Sequence, residues 1–168
     1  MKAIALKIPF RPIVLGLVVL FFSGILLERA QAGGGYYYPP VADPVVREEC
    51  GGCHLAFPAS MLPKRSWTRM MGDLKNHFGD DASLDAATTE RIARYLDANA
   101  ADSGGQRYGG KLIRGVSLEK APLRITELPK WVREHREITS AEWKAKEVGS
   151  KANCVACHTD AERGYYDE

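Results

Sequence analysis

Apolar positions recur every three or four residues in several stretches of this chain, and no run alternates long enough to mark a strand. Trp67, Met70, Met71, Leu74 and Phe78 surround His77 as the stripe of a helix with one buried face, with Ser66 able to cap it and Gly79-Asp80-Asp81 to end it. A longer amphipathic helix is predicted over residues 85–101, where Ile92, Tyr95, Leu96, Asn99 and Ala100 keep helical spacing. Ile125, Leu128, Trp131, Val132 and His135 form a third stripe, with Thr126 preceding the Trp131/His135 helix and those two residues four apart and therefore on one face. Thr139-Ser140-Ala141-Glu142 reads as a capping box opening a helix at Trp143. Asp43-Pro44 supplies a cap and a first-turn proline for a helix leading into Cys50, and Asn153 is placed to cap the turn bearing Cys154. The expected fold class is mainly α.

The first segment is of another kind. Lys2, Lys7 and Arg11 precede an apolar run over residues 13–27, and Ala30-Gln31-Ala32 follows it. A basic start, an apolar core and an A-x-A end are the parts of a secretory signal peptide, so residues 1–32 are expected to be removed and the chain to be exported, to a periplasm. An uncleaved membrane anchor would need about 20 apolar residues. After the leader, Gly33-Gly34-Gly35-Tyr36-Tyr37-Tyr38-Pro39-Pro40 suits no regular element and reads as a flexible or extended arm.

Export changes the charge. The whole chain of 168 residues carries 23 basic and 21 acidic side chains, but loss of the leader leaves 19 and 20, a formal charge of −1. That balance excludes a strongly basic nucleic-acid binder. What remains, 168 residues less 32, is 136 residues, enough for one ordinary domain or two small ones and too little for a large multidomain enzyme.

Export also makes disulfides the default reading of the four cysteines. They fall instead into two pairs, each followed at once by histidine: Cys50-Gly51-Gly52-Cys53-His54 and Cys154-Val155-Ala156-Cys157-His158. This is the haem-attachment spacing. Two thiols so placed can add to the two vinyl groups of a single haem, and the adjacent imidazole is then held beneath the iron. A thioredoxin-type thiol pair does not ask for the histidine and is expected beside a βαβ pattern, which is missing. Zinc would want paired histidines three to five residues apart. Two covalently bound c-type haems are therefore expected, tethered by Cys50, Cys53, Cys154 and Cys157, with His54 and His158 as iron ligands.

The chain holds only two further histidines, His77 and His135, each 23 residues from one attachment site. One spare imidazole per iron is what bis-histidine ligation requires. Methionine is the competing sixth ligand, and Met61, Met70 and Met71 all lie near the first site, but flexible thioethers suit packing against irregular surfaces. Local pairing of His77 with His54 and of His135 with His158 is favoured by shared apolar clusters. Sequence separation alone does not exclude a crossed arrangement, since doubling a loop costs only about 0.6 kcal/mol.

Residues 103–124 are rich in glycine and in cations, with Arg107, Lys111, Arg114, Lys120 and Arg124 against Glu119 alone. Gly105 to Lys111 matches the opening of a phosphate loop, but Leu112 stands where Ser or Thr should hold magnesium and no strand precedes it. A connecting segment is expected, some of whose cations neutralise haem propionates or form a docking patch.

Cys50-Gly51-Gly52-Cys53-His54-Leu55-Ala56-Phe57-Pro58, the Trp67 to His77 stretch, Trp131-Val132-Arg133-Glu134-His135 and Cys154 to His158 together resemble the small periplasmic dihaem cytochromes c, over nearly all of the chain beyond the leader. These are often encoded beside a high-spin monohaem cytochrome and a membrane b-type cytochrome. The resemblance implies a class I cytochrome c-like domain with the first haem over residues 33–103, and a second small haem-binding half with irregular loops over residues 104–168. It implies His77 and His135 as distal ligands and redox proteins of those two kinds as partners. The expected function is a non-catalytic, low-potential electron carrier. The rival expectation is a small dihaem peroxidase or reductase with one open iron site.

Overall fold

The computed structural model describes residues 36–105 and 108–166. The expected leader, residues 1–32, lies outside them. Among the described residues the regular elements are helices and short 3-10 turns, with two isolated β-bridges and no strand. No helix among them is long and apolar enough to cross a membrane.

Helix α1, Pro44–Gly51, starts as its sequence predicts: the Asp43 carboxylate accepts from the backbone N–H of Val45 (2.9 Å) and Val46 (3.3 Å), and Pro44 needs no such partner. Helix α2, Lys64–Met71, departs from the expected pattern at both ends. Pro63, not Ser66, occupies its cap, and the carboxylate of Asp102 accepts from the Lys64 N–H at 2.7 Å. The cap is thus supplied from 38 residues downstream, while Ser66 is buried in the first turn. The helix stops at Gly72 instead of running on through His77, because Gly72-Asp73 is a weak helical pair. A 3-10 turn, Leu74–Asn76, follows it.

Helix α3, Ala86–Asn99, is the longest described, and Asp85 caps it by accepting from Ala87 and Thr88 N–H groups at 3.0 Å. Its Ile92 and Leu96 pack with Val46 of α1, with Trp67 of α2 and with Leu62, just before α2, to make the core. Full burial of each such side chain contributes about 1.5–3 kcal/mol. Arg91 of α3 reaches the Asp43 carboxylate at 3.0 Å, and Tyr95 Oη accepts the Ala42 N–H at 2.9 Å, so α3 holds the start of α1.

The phosphate-loop match resolves into packing. Gly109 opens the one-turn helix α4, Gly109–Leu112, and a Cβ there would lie 2.7 Å from the Ser60 carbonyl oxygen. Only glycine lets the backbones approach so closely. Leu112 and Leu128 join the core. Leu128 then occupies the cap position of α5, Pro129–Glu134, with no side-chain cap, and the first residue of the helix is the helix-starting proline. The Thr139–Glu142 capping box opens α6, Ser140–Trp143, as read from the sequence. Asn153 makes no cap; its side-chain amide donates to the Val148 carbonyl at 3.0 Å.

The tyrosine arm, expected to be flexible or extended, is docked. Tyr38 is 4% exposed. Its N–H donates to the Gly164 carbonyl (2.9 Å), the Tyr166 N–H donates to the Tyr36 carbonyl (3.1 Å), and Tyr37 bridges to Tyr165. Lys130 of α5, itself buried, donates to Tyr36 Oη at 2.8 Å and to Glu134 at 3.0 Å, and lies over the Tyr36 ring. Burial alone would lower its pKa, but these two hydrogen bonds outweigh it and raise the value. Composition could not show this: Gly-rich, Pro-rich flanks mark an irregular segment and do not say what it lies against.

Candidate functional site

Two clusters stand out, each at one Cys-x-x-Cys-His motif. At the first, α1 delivers Cys50 near its end, half-buried, with Cys53 and His54 exposed just beyond it. The His54 Nδ1 lies 2.7 Å from the Leu55 carbonyl oxygen. A carbonyl only accepts, so Nδ1 carries the proton and Nε2 keeps a lone pair for a metal.

His77 comes to this imidazole from a tight turn rather than from a helix face. Its N–H donates to the Asp80 carbonyl (2.8 Å), and the Asp80 N–H returns to the His77 carbonyl (3.2 Å). Phe78, between them, has φ of 57°, uncommon for a bulky residue, so backbone strain is held next to His77. Arg124 from the basic connection lies over the Phe78 ring at 3.9 Å. The His54 and His77 rings are 6.1 Å apart and 23° from parallel. Burial, and then the neighbouring His54, hold the His77 pKa below the ordinary value, which favours the neutral ring that ligates metals.

At the second cluster, His135 follows α5 directly and its Nδ1 donates to the Trp131 carbonyl at 2.9 Å, again leaving Nε2 free. The imidazole lies flat on the Trp131 indole, 4.1 Å between centroids and 13° between planes. Trp143, at the end of α6, stands 6.1 Å from the same imidazole. His158 follows the 3-10 turn Cys154–Ala156 and is held there by its N–H to the Cys154 carbonyl, 2.8 Å. The His135 and His158 rings are 6.0 Å apart, with planes crossed at 77°.

Those two spacings carry the chemistry. Metal–imidazole bonds of about 2 Å, with a ring radius of about 1.2 Å on each side, put two centroids about 6 Å apart across one metal ion. The structure brings His77 beside His54 and His135 beside His158, each at the spacing that two imidazoles on one metal ion would have. Tyr166 Oη is buried without a hydrogen-bond partner in the structure, and its ring stands 5.7 Å from His158.

The competing uses of the cysteines fare worse. All four thiols are unpaired. Burial, with Glu49 adding, pushes the Cys50 thiol up, and burial pushes that of Cys154 up to about 11. Redox-exchange cysteines need the opposite shift, toward thiolate. Among the described residues no three His, Cys, Asp or Glu side chains gather as a cage for a bare metal ion. Met61 is buried in the core, and Met70 and Met71 pack against it. Trp143, a wall of the second cluster, had only its capping box as a signal in the sequence, and the docked Tyr166 had none.

Among the described residues, helices without a strand carry two Cys-x-x-Cys-His motifs, each with a second histidine beside it, and so define a protein built to hold haem covalently at two places. A family model described as dihaem cytochrome c matches residues 46–166. The chain belongs to the dihaem cytochrome c family: it is an electron-transfer haem protein with two covalently bound haems c, and its cysteine pairs fit that attachment. Among solved structures it is similar to a diheme cytochrome c from Rhodobacter sphaeroides, with 50% identity over 76% of this chain and 98% of that one and a TM-score of 0.69. A second structure, of DHC purified from Rhodobacter sphaeroides, is 48% identical over 75% of this chain and 98% of the other, with a TM-score of 0.63. The diheme cytochrome from Shewanella baltica OS155 is 37% identical over 74% and 86% of the two chains, with a TM-score of 0.60. No curated protein sequence matches the chain.

Proposed function

We propose that this cytochrome is a non-catalytic, low-potential electron carrier whose two haems are both low-spin and bis-histidine, ligated by His54 with His77 and by His158 with His135. Cys50 and Cys53 tether the first haem, Cys154 and Cys157 the second. The observation that carries the reading is the spacing of the two imidazole pairs, 6.1 and 6.0 Å between centroids. Haem iron supplies one-electron chemistry when bound, and the axial ligands tune its potential. With His77 and His135 as the second ligands, neither iron would be left open to substrate or peroxide. The Leu55 and Trp131 carbonyls fix one imidazole of each pair in the tautomer that offers Nε2.

The leader reading, with cleavage after Ala32, places the mature protein in the periplasm. The family resemblance supports a high-spin monohaem cytochrome and a membrane b-type cytochrome as its redox partners. Carbon monoxide tests the carrier reading. The reduced holoprotein, with two haems verified by mass, is expected to keep its Soret band unchanged under the gas. A carbonyl spectrum at either haem would overturn the closed-site reading in favour of a small dihaem peroxidase or reductase.

A further inference from the structure

We infer that Trp131 sets the plane of the His135 imidazole and would thereby cross the two imidazole ligands of the second haem, while those of the first would stay nearly parallel. The inference rests on the bis-histidine reading above and goes beyond it: the two haems, alike in ligand type, differ electronically, and a residue that ligates nothing makes the difference.

Three contacts hold the His135 ring. Its Nδ1–H donates to the Trp131 carbonyl, one face lies on the Trp131 indole at 13°, and Trp143 stands tilted beside it at 36°. Trp131 and Trp143 in turn meet at 5.6 Å, with Lys151 near both rings, so the indole is itself held in place. Rotating His135 about its bond to a metal would break both the flat stack and the Nδ1 hydrogen bond. At the first site the contacts differ. His54 lies near-flat on Phe57, at 24°, and His77 meets Phe78 edge-on at 63°. The resulting angle between ligand planes is 23° at the first site and 77° at the second.

The angle has an electronic meaning. Each imidazole donates π density into the iron d orbital that lies perpendicular to its ring. Coplanar rings act on one orbital of the d-pair and split it. Crossed rings raise both members equally, so the unpaired electron of the oxidised iron keeps orbital angular momentum and its g-values become strongly anisotropic.

Low-temperature electron paramagnetic resonance of the oxidised holoprotein, with haem content by mass on each sample, tests this. The wild type is expected to show two low-spin signals, one with three resolved rhombic features and one with a single feature displaced far to low field. Trp131→Leu keeps the backbone carbonyl but removes the stack; it should abolish the low-field feature in favour of a second rhombic set and leave the first signal unmoved. Trp131→Phe retains a smaller flat face and should move the feature part of the way, which keeps the test open if the Leu variant loses a haem. Two rhombic signals in the wild type, or a low-field feature that neither variant moves, would overturn the inference and leave bis-histidine ligation standing. A high-spin signal in the wild type would instead overturn the ligation on which it rests.

Discussion

Replacing Gly164 by alanine should unfasten the tyrosine arm from the loop behind the second attachment motif. Gly164 has φ of +90°, and a Cβ there would collide with the Tyr38 carbonyl oxygen and fall 3.0 Å from both the Pro40 and Tyr37 side chains. The left-handed backbone alone costs an L-residue roughly 1–2 kcal/mol, partly offset by the stiffer unfolded chain. The clash with a backbone oxygen has no rotamer escape, so the arm must move. Moving it gives up the Tyr38–Gly164 and Tyr36–Tyr166 backbone hydrogen bonds, at about 0.5–1.5 kcal/mol each. It also partly exposes the Tyr38 side chain, whose full burial is of the order of 1.5–3 kcal/mol. A loss of about 3–5 kcal/mol is therefore expected for Gly164→Ala. Gly149→Ala provides the control: its φ is +67° but nothing lies within 4 Å of the added Cβ, so about 1 kcal/mol is expected. Urea unfolding of the two oxidised holoprotein variants, followed by far-ultraviolet circular dichroism, reads both values. Equal losses in the two variants would refute the close-approach argument and with it the fastening of the arm at Gly164.

Substituting methionine for His77 or for His135 should raise the potential of one haem and leave the other near its original value, as a spectroelectrochemical titration would show; an unmoved titration removes that histidine from the ligand set. Trp67→Phe should cost about 2–4 kcal/mol in urea unfolding, because Trp67 is buried and its Nε1–H donates to the Ala59 carbonyl at 2.7 Å, which phenylalanine leaves unmet. The Asp85 carboxylate is held below its ordinary pKa by the Thr88 hydroxyl and then by the Thr88 N–H, so its share of stability is present above the ordinary carboxylate range and lost as pH falls through the lowered value. Asp85→Asn keeps a capping oxygen without the charge, and the wild-type advantage over it should shrink in acid; a difference that stays constant with pH would count against the charged cap.

How much of this was legible in the letters depends on how local each cause is. The haem-attachment motifs, the Asp43-Pro44 start, the Asp85 helix and the Thr139–Glu142 box each depend on residues within a few positions of one another, so the sequence alone determined them. Counting four histidines against two motifs brought His77 and His135 forward as partners for His54 and His158, because a scarce residue type leaves few ways to complete two sites. Nothing of that kind reaches across the fold. The cap on α2 is Asp102, 38 residues away, and Ser66 looked like the cap only because capping is usually local. Three-four spacing persists across Gly72-Asp73 and so predicts a helix through His77, but the chain turns there. The docked tyrosine arm, Lys130 beneath it and the 77° crossing of His135 with His158 arise where segments distant in sequence press together. Local propensity carries no record of which distant surface a segment will meet, and only tertiary packing decides it.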